Sequence, residues 1–376
     1  MGGPSRGVIL QLLLVLAVAL FFAFVVANTK ANLERAGLSA GYGFLWDTSA
    51  FDINQRLISY DSTNTYGRAF IVGGLNTVLV ASMGVIAATI IGFLAGILRL
   101  SPNFLISRIV TVYVEFTRNV PLLLQIIFWW VILLALPRVR DSIQVGAFYL
   151  NNRGVRMPAP VFEQGSVVLL IGLVVGVVAT ILVARWARAR QDATGHKFPV
   201  GWTGLGLVVG LPLVLFLITG RPIGLDLPEM GRFNLQGGFN ITPELVALWL
   251  ALSTYTGSFI SEIVRGGILS VNKGQTEAAG ALGLPSGLTL RKVILPQAMR
   301  AIVPPLTSQY LNLTKNSSLA VAIGYQDLVS IGDTILNQSG QALEVISIYM
   351  VTYLSLSLLT STFMNWYNGR IALVER

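Results

Sequence analysis

The chain has 376 residues, of which 54% are apolar and 11% charged, with a net charge of +9, one histidine and no cysteine. Soluble domains carry about 25% charged residues, so this composition excludes an ordinary soluble fold and points to a chain embedded in lipid. Lys and Arg sit between apolar runs rather than in one stripe, which argues against a nucleic-acid partner, and the missing Cys excludes disulfides and thiolate chemistry.

Apolar runs of spanning length recur from the N-terminus onward: Val8–Ala27, Phe70–Leu98, Val114–Leu136, Val167–Ala184, Trp202–Thr219, Pro243–Val264, Ile302–Ile323 and Val345–Tyr367. About 20 apolar residues cross a bilayer as a helix. Barrel strands would show shorter, alternating runs. The expected fold is therefore an all-α integral membrane protein with eight transmembrane helices. Ala23 and Ala27 would also suit a signal cleavage site, so removal of the first run stays an alternative.

The segments between runs set the orientation. Ala184–Pro199 carries Arg185, Arg188, Arg190 and Lys197, whereas Gly324–Glu344 has no Lys or Arg. By the positive-inside rule the first is cytoplasmic, and so are both termini, with Arg6, Arg370 and Arg376. Arg221 counts on the opposite side. Asn28–Ala69 and Pro137–Gln164 read as long external loops or caps. Gly92-x3-Gly96, Gly172-x3-Gly176 and Gly206-x3-Gly210 each put two glycines on one helix face, which permits close helix approach. Trp129-Trp130 and Trp366-Tyr367 fit interfacial belts.

Ionisable groups near or within spans are the functional candidates. Glu115 and Arg118 are three residues apart, as are Glu262 and Arg265, so each pair shares a helix face and is placed to pair. Both pairs fall near predicted cytoplasmic ends and read as gating or structural pairs, with direct substrate contact as the alternative. Pro121 fits a first helical turn or a kink. Lys315 lies inside an apolar run beside Asn316, Ser317 and Ser318. There it either lines a wet translocation path, where it would attract a carboxylate, or pairs with an acidic residue. Gln125 and Asn312 are further candidates for that path. The lone His196 sits in a basic loop, so neither a His-based metal site nor a Ser/His/Asp set is expected, and no catalytic role is assigned.

The loop from Arg265 to Arg300 is polar and rich in small residues. Gln275 to Leu282 favours a short helix, with an anion at Glu277 near its start and a C-cap at Gly283. Pro285 suits a turn or a new start, and a second short helix is expected to end near Pro296. Ala278, Ala279 and Ala281 keep the surface small enough for a partner's groove.

Glu277-Ala278-Ala279, Gly283 and Val293-Ile294-Leu295-Pro296, at this spacing, resemble the signature of permease subunits of ABC importers, with Val293 in place of the usual Ile. Four further motifs, in order, resemble the polar amino-acid branch, similar to histidine and glutamine permeases. They are Gly73-Gly74-Leu75-Asn76-Thr77, Glu115-Phe116-Thr117-Arg118-Asn119-Val120-Pro121, Ser261-Glu262-Ile263-Val264-Arg265-Gly266-Gly267, and Lys315-Asn316-Ser317-Ser318-Leu319. The enlarged layout looks like the larger permeases of general L-amino-acid uptake systems.

The resemblance implies a five-span core over 70–136 and 243–376, with a coupling loop at 266–300, an extra N-terminal span and external loop at 1–69, and an insertion at 137–242. It implies that Glu277, Ala278, Ala279, Gly283 and Pro296 belong to coupling helices seated on a cytoplasmic ABC ATPase dimer. No Gly-x4-Gly-Lys-[Ser/Thr] loop occurs in the chain, so ATP and Mg would be held by that partner and no cofactor by this chain. A second permease subunit, either a similar chain or a second copy, and a periplasmic amino-acid-binding protein complete the expected assembly in a bacterial inner membrane. The expected function is L-amino-acid import by alternating access. An ion-coupled secondary transporter is the alternative, and it would leave the coupling loop without a role. A membrane-embedded enzyme would need a catalytic constellation that the sequence does not offer.

Overall fold

The computed structural model describes residues 6–35, 41–163, 165–220, 222–232 and 234–371. Gln164, Arg221 and Arg376, used above for loop bounds and charge, lie outside the described residues. The helices are α1 (Arg6–Arg35), α2 (Tyr66–Leu98), α3 (Phe104–Asn119), α4 (Leu122–Leu134), α5 (Ser166–Thr194), α6 (Val200–Leu205), α7 (Leu211–Ile218), α8 (Pro243–Leu269), α9 (Lys273–Ala281), α10 (Ser286–Thr289), α11 (Leu295–Asn316), α12 (Leu328–Ser339) and α13 (Ala342–Ile371). Among the described residues there are also eight short strands: β1 (Ile143–Val145), β2 (Phe148–Asn151), β3 (Gly154–Met157), β4 (Ala159–Phe162), β5 (Ile223–Asp226), β6 (Glu229–Met230), β7 (Leu235–Gln236) and β8 (Phe239–Ile241).

The chain divides into two compact units, residues 133–243 and the remainder. Among the described residues, five helical segments are long and apolar enough to cross a membrane, and two bent pairs, each taken as one span, bring the number to seven. The remaining expected span, Pro243–Val264, is the 27-residue helix α8. It is long enough, but Ser253, Thr254, Thr256, Ser258 and Ser261 reduce its apolarity, and several of these are buried against neighbouring helices.

One expected span is broken, and a second bends just past its end. Val114–Leu136 is occupied by α3 and α4, which meet at 108°. The cause is local: Pro121 disfavours helical backbone at the residue before it, and Val120 is extended (φ −100°, ψ 127°). The amide of Gln125 closes the break, donating to Thr117 O at 2.8 Å and Val120 O at 2.9 Å. Ile302–Ile323 lies within one rod, α11 passing at Asn316 into a 3₁₀ stretch over Ser317–Ile323, and the axis bends 53° into α12 only beyond Ile323. Gly324–Glu344, expected as a loop, therefore contains a helix, capped by Asp327 Oδ1, which accepts from Ser330 N at 2.9 Å.

In the larger unit the segment before α2 forms a packed cap. Phe44, Ile53, Tyr60 and Tyr66 share a buried cluster with Val72 of α2, Ile331 and Ile335 of α12 and Val345 of α13. Tyr60 bonds Ser49 at 2.6 Å, and burial raises its phenol above the ordinary value. Helices α2 and α8 approach closely at the first glycine pair. A Cβ on Gly92 would collide with Ile260, and one on Gly96 would lie 2.7 Å from Val264 Cβ.

In the smaller unit α5 packs against α6 and α7, and Gly172 and Gly176 face Leu215 and Leu207 there. The pair Gly206 and Gly210 departs from expectation, since both meet open space. Residues 206–210 form a wide helical turn, which rotates them off the contact face, and Gly204 meets Thr180 instead. The strands were not anticipated. β1-β2-β3-β8 make an antiparallel sheet, and β4 pairs β5 from Ala159↔Asp226 to Phe162↔Ile223. They are two to four residues long, too short for an alternating pattern to stand out beside the spans. All of them precede α5 or follow α7, so they share one end of that helical hairpin.

Candidate functional site

Helix α9 begins at Asn272, whose side chain accepts from Gly274 N at 2.8 Å. It ends in a paired closure: Gly283 N donates to Gly280 O at 2.9 Å, and Leu284 N to Ala279 O at 3.0 Å. These are the two bonds of a Schellman cap, which needs a left-handed residue at the position of Gly283. Its φ is +73°, and glycine takes that conformation at no steric cost. Ala279 is buried beneath the helix, whereas Glu277, Ala278, Ala281 and Gly283 are exposed. Leu282, at the tip, is 79% exposed. The result is a small-residue helix with a protruding apolar end.

The second half of this loop differs from expectation. No helix ends at Pro296. Instead α10 runs through a wide turn, Leu290–Ile294, into α11, and Pro296 lies in the first turn of that 22-residue helix. Proline has no N–H and would leave a gap in a regular helical ladder. The wide turn absorbs it, with Leu295 N reaching Leu290 O. A recess of about 490 Å³ lies beside α9, lined by residues including Ile268, Leu269, Thr276, Leu284 and Ile294.

A charge cluster sits where α2, α3 and α8 converge. Arg99 caps the end of α2, and its side chain is 9% exposed. One of its nitrogens lies 2.5 Å from Glu262 Oε2 on α8, and the other 3.6 Å from Glu115 on α3. Arg265 donates to Glu262 Oε1 at 2.5 Å, so the expected Glu262–Arg265 pair forms. The expected Glu115–Arg118 pair does not. Glu115 turns to Arg99, while Arg118 lies over the ring of Phe259 at 5.2 Å and reaches Glu262 at 4.0 Å. Spacing within α3 cannot reveal a competing guanidinium from another helix, and Arg99 was missed for that reason.

The break before α12 is held by residues whose motif was visible but whose role was not. Asn76 Nδ2 donates to Gln55 O at 2.7 Å and to Gln326 O at 2.8 Å. Thr77 Oγ1 accepts from Leu328 N at 3.1 Å, and Tyr325 OH donates to Asn76 O at 3.2 Å. A Cβ on Gly73 would sit 3.0 Å from Asp327 O and 3.1 Å from Leu328 Cα. The Gly73-to-Thr77 motif is therefore a seat for the chain reversal at Tyr325–Leu328.

The polar-path candidates differ in exposure and in their hydrogen-bond partners. Lys315 is exposed at the end of α11. Ser317 is buried with its hydroxyl on Thr314 O, and Ser318 donates to Lys315 O, both at 2.8 Å. Asn316 is half-buried at the start of the 3₁₀ turn. Gln125 is committed to the α3–α4 break. A separate recess of about 320 Å³ lies between α2, α11 and α13, lined by residues including Ser82, Tyr310, Thr314 and Thr360.

A broken span and a bent one, a small-residue helix projecting from the loop after α8 and a charge cluster at the helix ends define a multi-spanning transport permease. The chain belongs to the binding-protein-dependent transport system inner membrane component family, whose model matches residues 88–373. It is 54% identical, along 99% of its length and 93% of the relative's, to the general L-amino acid transport system permease protein AapQ of Rhizobium johnstonii. It is 40% identical, with 99% and 95% coverage, to the glutamate/glutamine/aspartate/asparagine transport system permease protein BztB of Rhodobacter capsulatus. A shorter match, 35% over 161 residues, covers 42% of the chain and 73% of the glutamine transport system permease protein GlnP of Escherichia coli K12. As a member of this family the chain is a membrane transport component, not an enzyme.

Proposed function

We propose that the chain is the permease subunit of an ATP-driven importer of L-amino acids. The observation that carries this reading is the 54% identity, along nearly the whole chain, to a permease named for general L-amino acid transport. The relative named for four acidic and amide amino acids favours a polar or broad substrate range. ATP and Mg belong to a separate ATPase dimer, and α9, with Glu277, Ala278, Ala279 and Gly283, seats on it. The exposed, capped α9 and its apolar tip at Leu282 support that docking. Pro296 contributes by starting α11, so that α9 is tied rigidly to a long helix. Closure of the ATPase must favour one packing of the bundle by several kcal/mol to shift populations strongly, about 5.5 kcal/mol for a swing from 1:99 to 99:1.

In this reading both termini and the Arg185–Lys197 loop face the cytoplasm, and the strands of the 133–243 unit face outward. In sequence, the cap before α2 precedes a core at 70–136 and 243–376, and the insertion at 137–242 divides that core. A second permease subunit and a periplasmic amino-acid-binding protein complete the system. Lys315, exposed beside Asn316, is the candidate for meeting a substrate carboxylate, with Ser317, Ser318 and Gln125 shaping the surrounding breaks. The test is uptake by the purified complex in proteoliposomes, with a panel of labelled amino acids. Accumulation of glutamate, glutamine and neutral L-amino acids is expected, and failure to accumulate any of them sinks the substrate assignment.

A further inference from the structure

Helix α5 is 29 residues long, which at 1.5 Å per residue is about 44 Å, against a hydrocarbon core of about 30 Å. Its last third therefore projects past the core, and that is where Arg185, Arg188 and Arg190 lie. The helix closes at Gly195 in the left-handed conformation (φ +71°), and the chain turns back through His196 and Lys197 towards α6. This turn carries four cationic side chains and a single carboxylate, Asp192. All are exposed, and none is ion-paired among the described residues.

The aromatic side chains of the turn are ordered around these cations. Arg190 lies over the Trp186 ring, 5.3 Å from its centroid. Trp186 in turn meets Phe198 edge to face at 5.3 Å and 82°. A guanidinium stacked in this way keeps its N–H edge free for an anion while its face rests on the indole. Trp186 and Trp202 both project outward, as residues at the headgroup level do. Cations without partners, a stacked guanidinium and interfacial indoles next to a spanning helix match the chemistry of an anionic lipid headgroup.

We propose that the Arg185–Lys197 turn binds the headgroup of an anionic phospholipid, with Arg190 held on Trp186 as the directional contact and Arg185, Arg188 and Lys197 supplying charge. The site belongs to a different unit of the chain from α9 and does not depend on the identity of the transported solute. It makes the 133–243 unit a lipid-anchored element of the permease.

The test is native mass spectrometry of the purified full-length chain, released from detergent after incubation with equal phosphatidylglycerol and phosphatidylcholine. Wild type is expected to retain phosphatidylglycerol preferentially. Arg185→Gln, Arg188→Gln, Arg190→Gln and Lys197→Gln together are expected to abolish the preference, each cation being worth up to about five-fold. Arg190→Lys keeps the charge and loses the planar stack, so about a two-fold weakening is expected even if the quadruple variant folds poorly. Arg138→Gln with Arg140→Gln, at the strand end of the unit, should keep the preference. Equal retention of both lipids by wild type, an unchanged preference in Arg190→Lys, or loss in the strand-end control would overturn the proposal. Displacement of phosphatidylglycerol by equimolar inorganic phosphate would overturn it too, because it would mark a free-phosphate site.

Discussion

Arg99 and Glu262 meet at 2.5 Å, joining the end of α2 to α8. Through the same guanidinium Glu115 of α3 is drawn in at 3.6 Å, so one side chain ties three helices at one end of the bundle. Replacing Arg99 by Gln leaves Glu262 with Arg265 and the more distant Arg118. The Arg99 side chain is nearly buried, but Glu262 is about a third exposed, so water screens part of the interaction. The expected cost is about 1–2 kcal/mol, below the value for a fully buried pair. Thermal melting in detergent reads it. A double-mutant cycle with Glu262→Gln should show coupling above about 0.5 kcal/mol. Additive losses would mean that the two side chains are merely neighbours.

Gly283 tests the cap of α9. A branched side chain at φ +73° is strained, at a cost of about 1–3 kcal/mol, and the two closing bonds to Gly280 O and Ala279 O would be lost or distorted. Gly283→Val is expected to insert and fold in the membrane but to lose most ATP-coupled uptake. Gly283→Asn, which tolerates the left-handed region, should retain more. Equal activity of the two variants would remove the cap from the coupling mechanism.

The α2–α8 contact separates two glycines of one helix. On Gly96 a methyl group would fall 2.7 Å from Val264 Cβ and 2.8 Å from Ser261 O, while Gly74 has nothing within 4 Å. Gly96→Ala is expected to destabilise by about 1–3 kcal/mol through overpacking. Gly74→Ala should be neutral or stabilising by up to about 1 kcal/mol. Paired melting curves decide, and a Gly96→Ala protein as stable as Gly74→Ala would contradict the close approach.

Asn76 anchors two backbone carbonyls, Gln55 O and Gln326 O, from segments far apart in sequence. Asn76→Ala leaves both without their donor at a buried site, with an expected loss of about 2–4 kcal/mol. Limited proteolysis should then cut first in the cap at 47–65 and in the reversal at 324–328. Wild-type protection of both segments would show that the amide is dispensable.

Much of this was legible in the sequence because hydrophobic length reports spans directly. The cap at Gly283 was legible too, since only a few residue types suit a left-handed helix end. The bend before Asp327 and the partner of Glu115 depend on groups from other segments of the chain, and the 108° break at Val120–Pro121 depends on which local backbone groups one side chain reaches. Pro121 signals a possible break, but only the Gln125 amide on Thr117 O and Val120 O stabilises one. Pro296 was misread as a helix end because a wide turn, invisible to periodicity, lets a helix continue through it. The strands of the 133–243 unit were hidden because pieces of two to four residues leave no alternating signature.

The most direct test of ATP coupling through α9 is labelled amino-acid uptake in proteoliposomes holding the full complex, with ionophores present to collapse every ion gradient. Uptake should require ATP inside with the ATPase and binding protein outside, and it should be largely lost in Gly283→Val. Uptake that persists without ATP, or that stops when the ionophores are added, would contradict an ATP-driven permease and favour ion-coupled transport.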